Sequence, residues 1–315
     1  MSSARRWQKA TRSQAVTSPD LLRQAYRTLW NDARYYQSKG RPVSIRRLWR
    51  FVAPDLRRPI FLIGAPRSGT SFLGQCLGKL SEISYHHEPV ATKAASRHVY
   101  EGLWSFVRAN WFYHQVYGWL MRIHLDGHLR FAEKTPRNCF IVPFLIQAFP
   151  DAQFVHIIRD GRDAALSLGR KPWLQAASAN SGRREPGGYS FGPYARFWVE
   201  RERKDEFEKT SDIHRCIWAW KRFVESALAA STSLTGKQYF ELRYENLVCY
   251  PEREAECLLE HLGISHPTSR QMFHEALEAM HPHSIGKWRD ELSAEQIDVI
   301  QAEAGHLLRQ LDYLD

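Results

Sequence analysis

The chain has 315 residues, 43% of them apolar and 13% aromatic, which is enough to bury a sizeable core. This composition argues against a disordered or fibrous protein. The formal net charge of +10 favours an anionic partner such as a phosphate-bearing cofactor, an acidic glycan, nucleic acid or a membrane surface, although a basic surface without a partner has the same charge.

The five cysteines are odd in number, scattered and without a CxxC pair, which argues against a disulfide framework and a zinc site. The N-terminus has no apolar stretch long enough for a signal peptide, and nowhere do 18 uninterrupted apolar residues occur. We therefore expect a cytoplasmic protein without a transmembrane segment.

Residues 1–57 are basic and predict a helical N-terminal extension. The helical pattern runs through Leu21, Leu22, Tyr26, Leu29 and Trp30. After them, "RPIFLIGA" is a short apolar run ended by Gly64 and Pro66, typical of a central strand covered on both faces. Apolar residues at helical spacing then predict a helix over 70–80.

The same alternation continues along the chain. "HLRFAEK" and "QFVHIIRD" read as strands, "GRDAALSLG" as a short helix, residues 237–243 as a further strand, and "PEREAECLLEHLG" as a helix. A Ser-x-x-Gln capping box at Ser293 predicts a C-terminal helix. The pattern predicts an α/β, P-loop-like three-layer fold, in which a central, mainly parallel sheet is flanked by helices.

We assign residues 58–315 to one domain that carries an insertion at about 172–212. This stretch holds glycines, prolines, arginines and aromatic residues with little periodicity. It is typical of a lid or acceptor-binding segment, or equally of an irregular surface loop.

The loop from Gly64 to Ser71, "GAPRSGTS", predicts an anion site. Its glycines permit a tight turn with inward amide hydrogens, and the following helix adds the positive end of its dipole. A nucleoside-triphosphate loop would carry lysine where Thr70 stands, whereas here the cation is Arg67, three residues earlier. No clear acidic partner for magnesium follows on a neighbouring strand.

A second anion site is indicated by "RDGRDAALS". Arg159 follows a predicted strand, at the edge where ligands bind in open α/β sheets, and Ser167 lies eight residues later on nearly the same helix face.

These two motifs resemble those of the sulfotransferase family, which uses 3′-phosphoadenosine 5′-phosphosulfate (PAPS) and releases 3′-phosphoadenosine 5′-phosphate (PAP). The resemblance covers about residues 58–290 and implies that the second motif, Arg159 and Ser167, binds the 3′-phosphate. It implies that the 5′-phosphosulfate is bound by Arg67, Ser68, Gly69, Thr70 and Ser71.

Three weaker similarities agree. "RYENL" resembles the family's strand end whose tyrosine, here Tyr244, lies against the adenosine portion. "SIGKWRDEL" resembles the loop that closes over the nucleotide, which implies roles for Ser284, Gly286 and Lys287. "EKTP" resembles the family's KT element and implies that Lys134 lies near the transferred group.

Hormone-type members place a catalytic histidine where this chain has Pro136, so the chain is more similar to the bacterial and protein-tyrosine branches. Those branches use a glutamate one helix beyond the first loop, which implies Glu88 as the base. We expect partial burial to raise its proton affinity.

His87 is the alternative base. A metal site at His86, His87 and Glu88 is disfavoured, because it lacks the i, i+4 spacing of helical zinc ligands.

The resemblance implies sulfonate transfer from PAPS to a hydroxyl or amine of a small-molecule, lipid, glycan or peptide acceptor, without a required metal. Lys134 and Arg67 would stabilise charge on the leaving oxygen. Nucleic acid is not the expected partner. Two alternatives remain open: a P-loop kinase or nucleotide hydrolase, and a non-catalytic binder of nucleic acid or acidic glycan.

Overall fold

The computed structural model describes residues 23, 26, 53–124, 126–185, 188–278 and 284–314. Apart from Arg23 and Tyr26, which are helical, the residues of the predicted N-terminal helix lie outside the described residues, and so the extension stays a prediction.

The centre of the molecule is a sheet of five parallel strands in the order β2-β3-β1-β4-β5. Every residue of β1 and β4 is buried, as expected for strands covered on both faces. The strands are β1 (Ile60–Ile63), β2 (Ile83–His87), β3 (Arg130–Lys134), β4 (Gln153–Ile158) and β5 (Tyr239–Arg243).

Helices connect and cover the strands. In chain order they are α1 (Thr70–Leu77), α2 (Val90–Tyr100), α3 (Phe106–Ile123), α4 (Val142–Ala148), α5 (Gly161–Gly169), α6 (Lys204–Lys209), α7 (Asp212–Ser231), α8 (Tyr244–Cys249), α9 (Pro251–Leu262), α10 (Pro267–Leu277), α11 (Trp288–Glu291) and α12 (Ala294–Gln310). Short 3-10 turns occupy Pro136–Phe140, Ala176–Ser178 and Arg201–Arg203.

Two apolar clusters lie on opposite faces of the sheet, and alternate residues of β1 belong to each. Phe61 and Ile63 pack into the cluster that includes α3, α4, α7 and α12. Ile60 and Leu62 pack into the cluster formed with α1, α9 and α10. This alternation follows from the period of two in a strand. The predicted three-layer α/β fold is therefore confirmed.

Several predicted elements are confirmed in detail. Helix α5 has the predicted bounds. Helix α9 ends at Leu262 and is capped by Gly263 in a left-handed conformation (φ 71°), and both hydrogen bonds of the Ser293 capping box are present. The helix predicted over 70–80 ends earlier, at Leu77. Strand β2 was not predicted. The helices that were not predicted are α2, α3, α4, α6, α7, α8, α10 and α11.

No described helix combines the length and the hydrophobicity needed to cross a membrane. The five cysteines are free thiols, three of them buried.

Candidate active site

The five parallel strands end at one edge of the sheet, and a predicted site residue follows or ends each of them. Lys134 is the last residue of β3, and Glu88 comes directly after β2. Arg159 follows β4, and Tyr244 follows β5. The loop of residues 64–69 follows β1, the central strand. This edge is where ligands bind in open α/β folds.

The loop after β1 has the tight geometry that the sequence predicts. Gly69 has φ 90° and lies against the ring of Tyr244, so close that an added Cβ would be 2.6 Å from a ring carbon. Arg67 has φ 73°, an uncommon conformation for a side-chain-bearing residue. Helix α1 starts at Thr70 without a side-chain cap, so its first amide groups are available to an anion.

A first cavity of about 400 Å³ opens beside this loop. Of its described lining residues, four are basic and one, Asp163, is acidic, so the cavity has a surplus of positive charge. The lining comprises Arg67, Gly69, Thr70, Ser71, Phe72, Arg159, Asp163, Leu166, Ser167, Arg170, Tyr244, Ser284 and Lys287. The structure thus brings together most of the residues for which the sequence predicts nucleotide contacts.

The two predicted anion motifs contact each other in this cavity. The Arg67 Nε–H donates to Ser167 Oγ at 3.0 Å. Arg159 donates to the carbonyl oxygens of Arg67, at 3.0 Å, and of Ser284. Its guanidinium carbon lies 4.7 Å from the centroid of the Tyr244 ring. Burial, and then the charge of Arg159, lower the pKa of Arg67.

Asp163 holds the segment that covers the first cavity. Its two carboxylate oxygens accept from the backbone N–H groups of Gly286 (2.7 Å) and Trp288 (3.0 Å). Ser284 Oγ lies 2.5 Å from the hydroxyl of Tyr244. Gly286 does not line the cavity itself but fixes this turn. Asp163 was not predicted as a site residue, although it lies four residues from both Arg159 and Ser167.

A second cavity of about 420 Å³ shares Arg67, Thr70 and Ser71 with the first. Its lining combines ionic side chains with an apolar wall. The ionic and imidazole groups are His87, Glu88, Lys93, Lys134, Arg137, Lys171, Glu185 and Arg196, and the aromatic ones are Trp173, Trp198 and Phe223. The two cavities therefore meet at the β1 loop.

Glu88 lies between two lysines. Its Oε2 accepts from Lys93 Nζ at 2.6 Å and its Oε1 from Lys134 Nζ, while its backbone N–H donates to the Lys134 carbonyl at 2.9 Å. Its φ is 46°. Burial alone raises the pKa of Glu88, but the charges and hydrogen bonds of both lysines outweigh it and hold the pKa well below its ordinary value. The expectation of a raised proton affinity was wrong.

The two histidines of β2 differ in surroundings. His86 is buried, stacks on Phe131 at 5.0 Å and has Nε2 3.0 Å from Ser84 Oγ. His87 lines the second cavity, and its Nδ1 is 3.3 Å from the Tyr85 hydroxyl. Successive strand residues point to opposite faces, so these side chains do not converge with Glu88 on a metal.

In the part of the chain that the structure describes, one group has metal-ligand geometry, and it lies outside both cavity linings. It consists of Glu206, His214 and Glu303. Arg203 binds both carboxylates, and Lys221 binds Glu303 at 3.1 Å, so an ion-pair network already satisfies these groups.

The segment at 172–212 packs on the core and supplies much of the wall of the second cavity. Arg196 is buried, and its Nη groups donate to the carbonyls of Trp173, Ser190 and Tyr194. Its Nε lies 3.3 Å from Glu185 Oε1. Glu185 and Arg196 were not predicted as site residues, because they lie in a segment whose sequence has no regular period.

Comparison with solved structures gives related proteins of low identity. A sulfotransferase from Mycobacterium avium, STF9, is 13% identical with a TM-score of 0.52, over 94% of this chain and 85% of that one. Mouse SULT7A1, solved in complex with PAP, is 16% identical with a TM-score of 0.47, over 84% and 90%. The sulfotransferase domain from the curacin biosynthetic pathway is 16% identical, at 0.48, over 82% and 99%.

The similarity to STF9, at 13% identity and a TM-score of 0.52, supports a shared fold and no finer conclusion. No curated protein matches the sequence significantly. Residues 59–268, two thirds of the chain, match the family model described as "Sulfotransferase family". The chain therefore belongs to the sulfotransferase family.

Proposed function

We propose that the protein transfers the sulfonate group of PAPS to an acceptor in the second cavity. The observation that carries this proposal is the meeting of two cavities at the β1 loop. One cavity has the cationic lining that a bisphosphorylated nucleotide needs, and the other has a carboxylate next to lysines. Arg67 belongs to both, where a transferred group would cross.

Unpartnered polar atoms in the β1 loop and in the lining of the first cavity support the donor. Ser68 Oγ and Arg159 Nε are buried and have no hydrogen-bond partner among the described residues. Both are donors, and a buried donor is costly unless an acceptor satisfies it. Phosphate oxygens would do so.

We assign the 5′-phosphosulfate of PAPS to residues 67–71 and the 3′-phosphate to Arg159 and Ser167. Tyr244 would lie along the adenosine, since its ring already closes the loop beside Gly69. The turn of residues 284–287 would cover the nucleotide, held there by Asp163. In this proposal the phosphosulfate would lie at the boundary between the cavities.

In the transfer step, the acceptor oxygen or nitrogen bonds to sulfur as the sulfur–oxygen bond to the phosphate breaks. The electron pair of that bond leaves with the phosphate, and Glu88 takes the acceptor's proton. His87, in the same lining, is the second candidate for the proton. Arg67 and Lys134 stabilise the charge on the leaving oxygen, a contribution of about 3 kcal/mol per donor in preorganised sites.

The two lysines make Glu88 a weak base until one of them is drawn away. An anionic group at the β1 loop competes for Lys134, and losing that partner raises the pKa of Glu88 towards the range useful for a base. The base would thus become effective when the donor is in place.

The lining of the second cavity supports an acceptor that joins an apolar body to an acidic group. Trp173, Trp198 and Phe223 form the apolar wall. The basic residues of this lining outnumber its two acidic ones, and Lys171 has no carboxylate within 4.0 Å in the described ranges.

Equilibrium binding and labelled transfer test the proposal. We expect the protein to bind PAP more tightly than it binds ATP, whether or not magnesium is present. We also expect it to transfer label from PAPS to an acidic aryl or alkyl alcohol in the presence of EDTA. Arg159→Ala and Ser167→Ala should weaken PAP binding more than they lower turnover at saturation. Tight magnesium-dependent ATP binding would instead favour a P-loop kinase or hydrolase.

A further inference from the structure

The basic residues that line the second cavity differ in what they already bind. Four of the six are paired with the two carboxylates of the lining. These pairs are Lys93 and Lys134 with Glu88, and Arg137 and Arg196 with Glu185. The fifth, Arg67, donates to Ser167 Oγ at 3.0 Å. The sixth, Lys171, has no acceptor for its ammonium group in the described ranges.

The backbone that carries Lys171 is fixed on the core. Lys171 follows α5, and its backbone N–H donates to the carbonyl of Leu168 at 2.8 Å. Two residues later, the carbonyl of Trp173 accepts from the backbone N–H of Gly192 at 3.1 Å and from Arg196 at 3.0 Å. The side chain of Lys171 therefore starts from a fixed point, which reduces the entropy lost when a ligand binds its ammonium group.

Lys171 lies beside the aromatic wall of the second cavity. Trp173 follows it by two residues, and both residues line the cavity. Trp198 and Phe223 continue the wall, with their ring centroids 5.8 Å apart. A ligand with an aromatic body and a charged end matches this combination of an apolar wall and a cation at its side.

The charge of the lining favours an anion as that charged end. Among the described residues, six basic side chains line the cavity and two acidic ones do, so a protonated amine would meet a surplus of positive charge. A carboxylate at Lys171 would instead complete an ion pair with an ammonium group that offers three donors. Walls that exclude part of the solvent make such a pair stronger than one on an open surface.

We propose that Lys171 determines acceptor specificity by binding the carboxylate of a hydroxyaryl acid, whose aromatic body packs on Trp173. This inference rests on the proposed function, because the hydroxyl of that acid is the group that receives the sulfonate. Lys171 acts on binding and not on the chemical step, since its ammonium nitrogen lies more than 4.0 Å from the carboxylate of Glu88. Its replacement therefore leaves the pH dependence of kcat unchanged.

Three phenols that share the reacting hydroxyl and differ in charge test this inference. They are para-hydroxyphenylacetate, its neutral amide para-hydroxyphenylacetamide, and the cationic tyramine. The measurement is kcat and KM for labelled transfer from saturating PAPS. Lys171→Met removes the charge, Lys171→Arg keeps it and Lys171→Glu reverses it. The matched control is Lys79→Met, which replaces an exposed lysine outside both cavity linings.

We expect the wild type to have a kcat/KM for the acid at least about tenfold above that for the amide, with tyramine lowest, because a hydrogen bond to a charged group commonly strengthens binding by about tenfold or more. Lys171→Met should raise KM for the acid by about tenfold and leave KM for the amide within about twofold. Lys171→Arg and Lys79→Met should keep the wild-type order. Lys171→Glu should abolish the preference for the acid and raise kcat/KM for tyramine.

Equal kcat/KM for the acid and the amide in the wild type would overturn the inference, and so would an equal rise of KM for both in Lys171→Met. Each comparison is made between acceptors within one variant, so a loss of folded protein cancels. Continued transfer to the neutral phenol would leave the proposed function intact in either case.

Calorimetry with phenylacetate, which has no hydroxyl to receive the sulfonate, tests the carboxylate site without transfer. Phenylacetate should bind the complex of the wild type with PAP, and about tenfold more weakly when Lys171 is replaced by methionine. Equal binding by both proteins, or no binding by the wild type, would refute the site. Binding as expected without any transfer from PAPS would support the site and refute the proposed function.

Discussion

Replacing Lys93 with methionine isolates the electrostatic control of Glu88. The substitution keeps the length and apolar stem of the side chain but removes a charge 2.6 Å from Glu88 Oε2. Both side chains are largely buried, at 12% and 21% exposure, so solvent weakens their interaction little. Burial then acts against a single remaining lysine, and the pKa of Glu88 must rise.

An opposite charge at this distance shifts a carboxyl pKa by about 1–3 units, equivalent to about 1.4–4 kcal/mol between the two protonation states. The sign follows from the depressed pKa of Glu88. In the wild type the carboxylate stays ionised as pH falls, so the base is retained. In Lys93→Met the same carboxylate takes up its proton at higher pH, so the base is lost earlier on the acid side.

The measurement is the pH dependence of kcat and of kcat/KM for labelled sulfonate transfer at saturating PAPS. We expect the acid limb of Lys93→Met to lie about 1–3 pH units above that of the wild type. Lys93→Arg keeps the charge and should preserve the wild-type limb. Lys171→Met is the matched control, because it removes a lysine of the same cavity that has no described carboxylate partner within 4.0 Å. An unchanged acid limb in Lys93→Met would refute the role given to Glu88.

Further predictions concern the nucleotide cavity and the core. Gly69→Ala forces a Cβ against the Tyr244 ring at a φ of 90°, and should weaken PAP binding at least about tenfold, as measured by calorimetry. The control is Gly169→Ala, whose added Cβ has no atom within 4 Å, and this variant should bind PAP like the wild type. Tyr244→Phe removes the contact with Ser284 Oγ and should weaken PAP binding by about fivefold. Unaltered binding would argue against closure of the nucleotide cavity by the turn of residues 284–287. Burial raises the pKa of Glu133 from 4.5 to about 7, so the folded state holds a proton that the unfolded chain releases, and stability falls as pH rises through that window. Between pH 4.5 and 7.5, Glu133→Gln should lose about 3 kcal/mol less of its free energy of unfolding than the wild type does, as measured by urea unfolding at each pH. The same loss in both proteins would contradict this prediction.

The anion-binding loop and the α5 motif could be predicted from the sequence because their signals are local. A buried apolar run, glycines with special backbone angles and a helix start all occur within about a dozen residues. Strand β2 escaped prediction since its serine and histidines interrupt the apolar run. Helix α7 escaped because the irregular segment before it obscured its start.

The sequence by itself determined the order of strand, loop and helix, the α/β class and the two motifs for which we propose nucleotide contacts. The tertiary structure alone decided which charges meet. The strand order β2-β3-β1-β4-β5 brings Lys134 beside Glu88, and packing of α5 brings Asp163 to the turn at Gly286. Burial pushes the pKa of Glu88 up and the two lysines push it down, and the outcome depends on distances that no local pattern records.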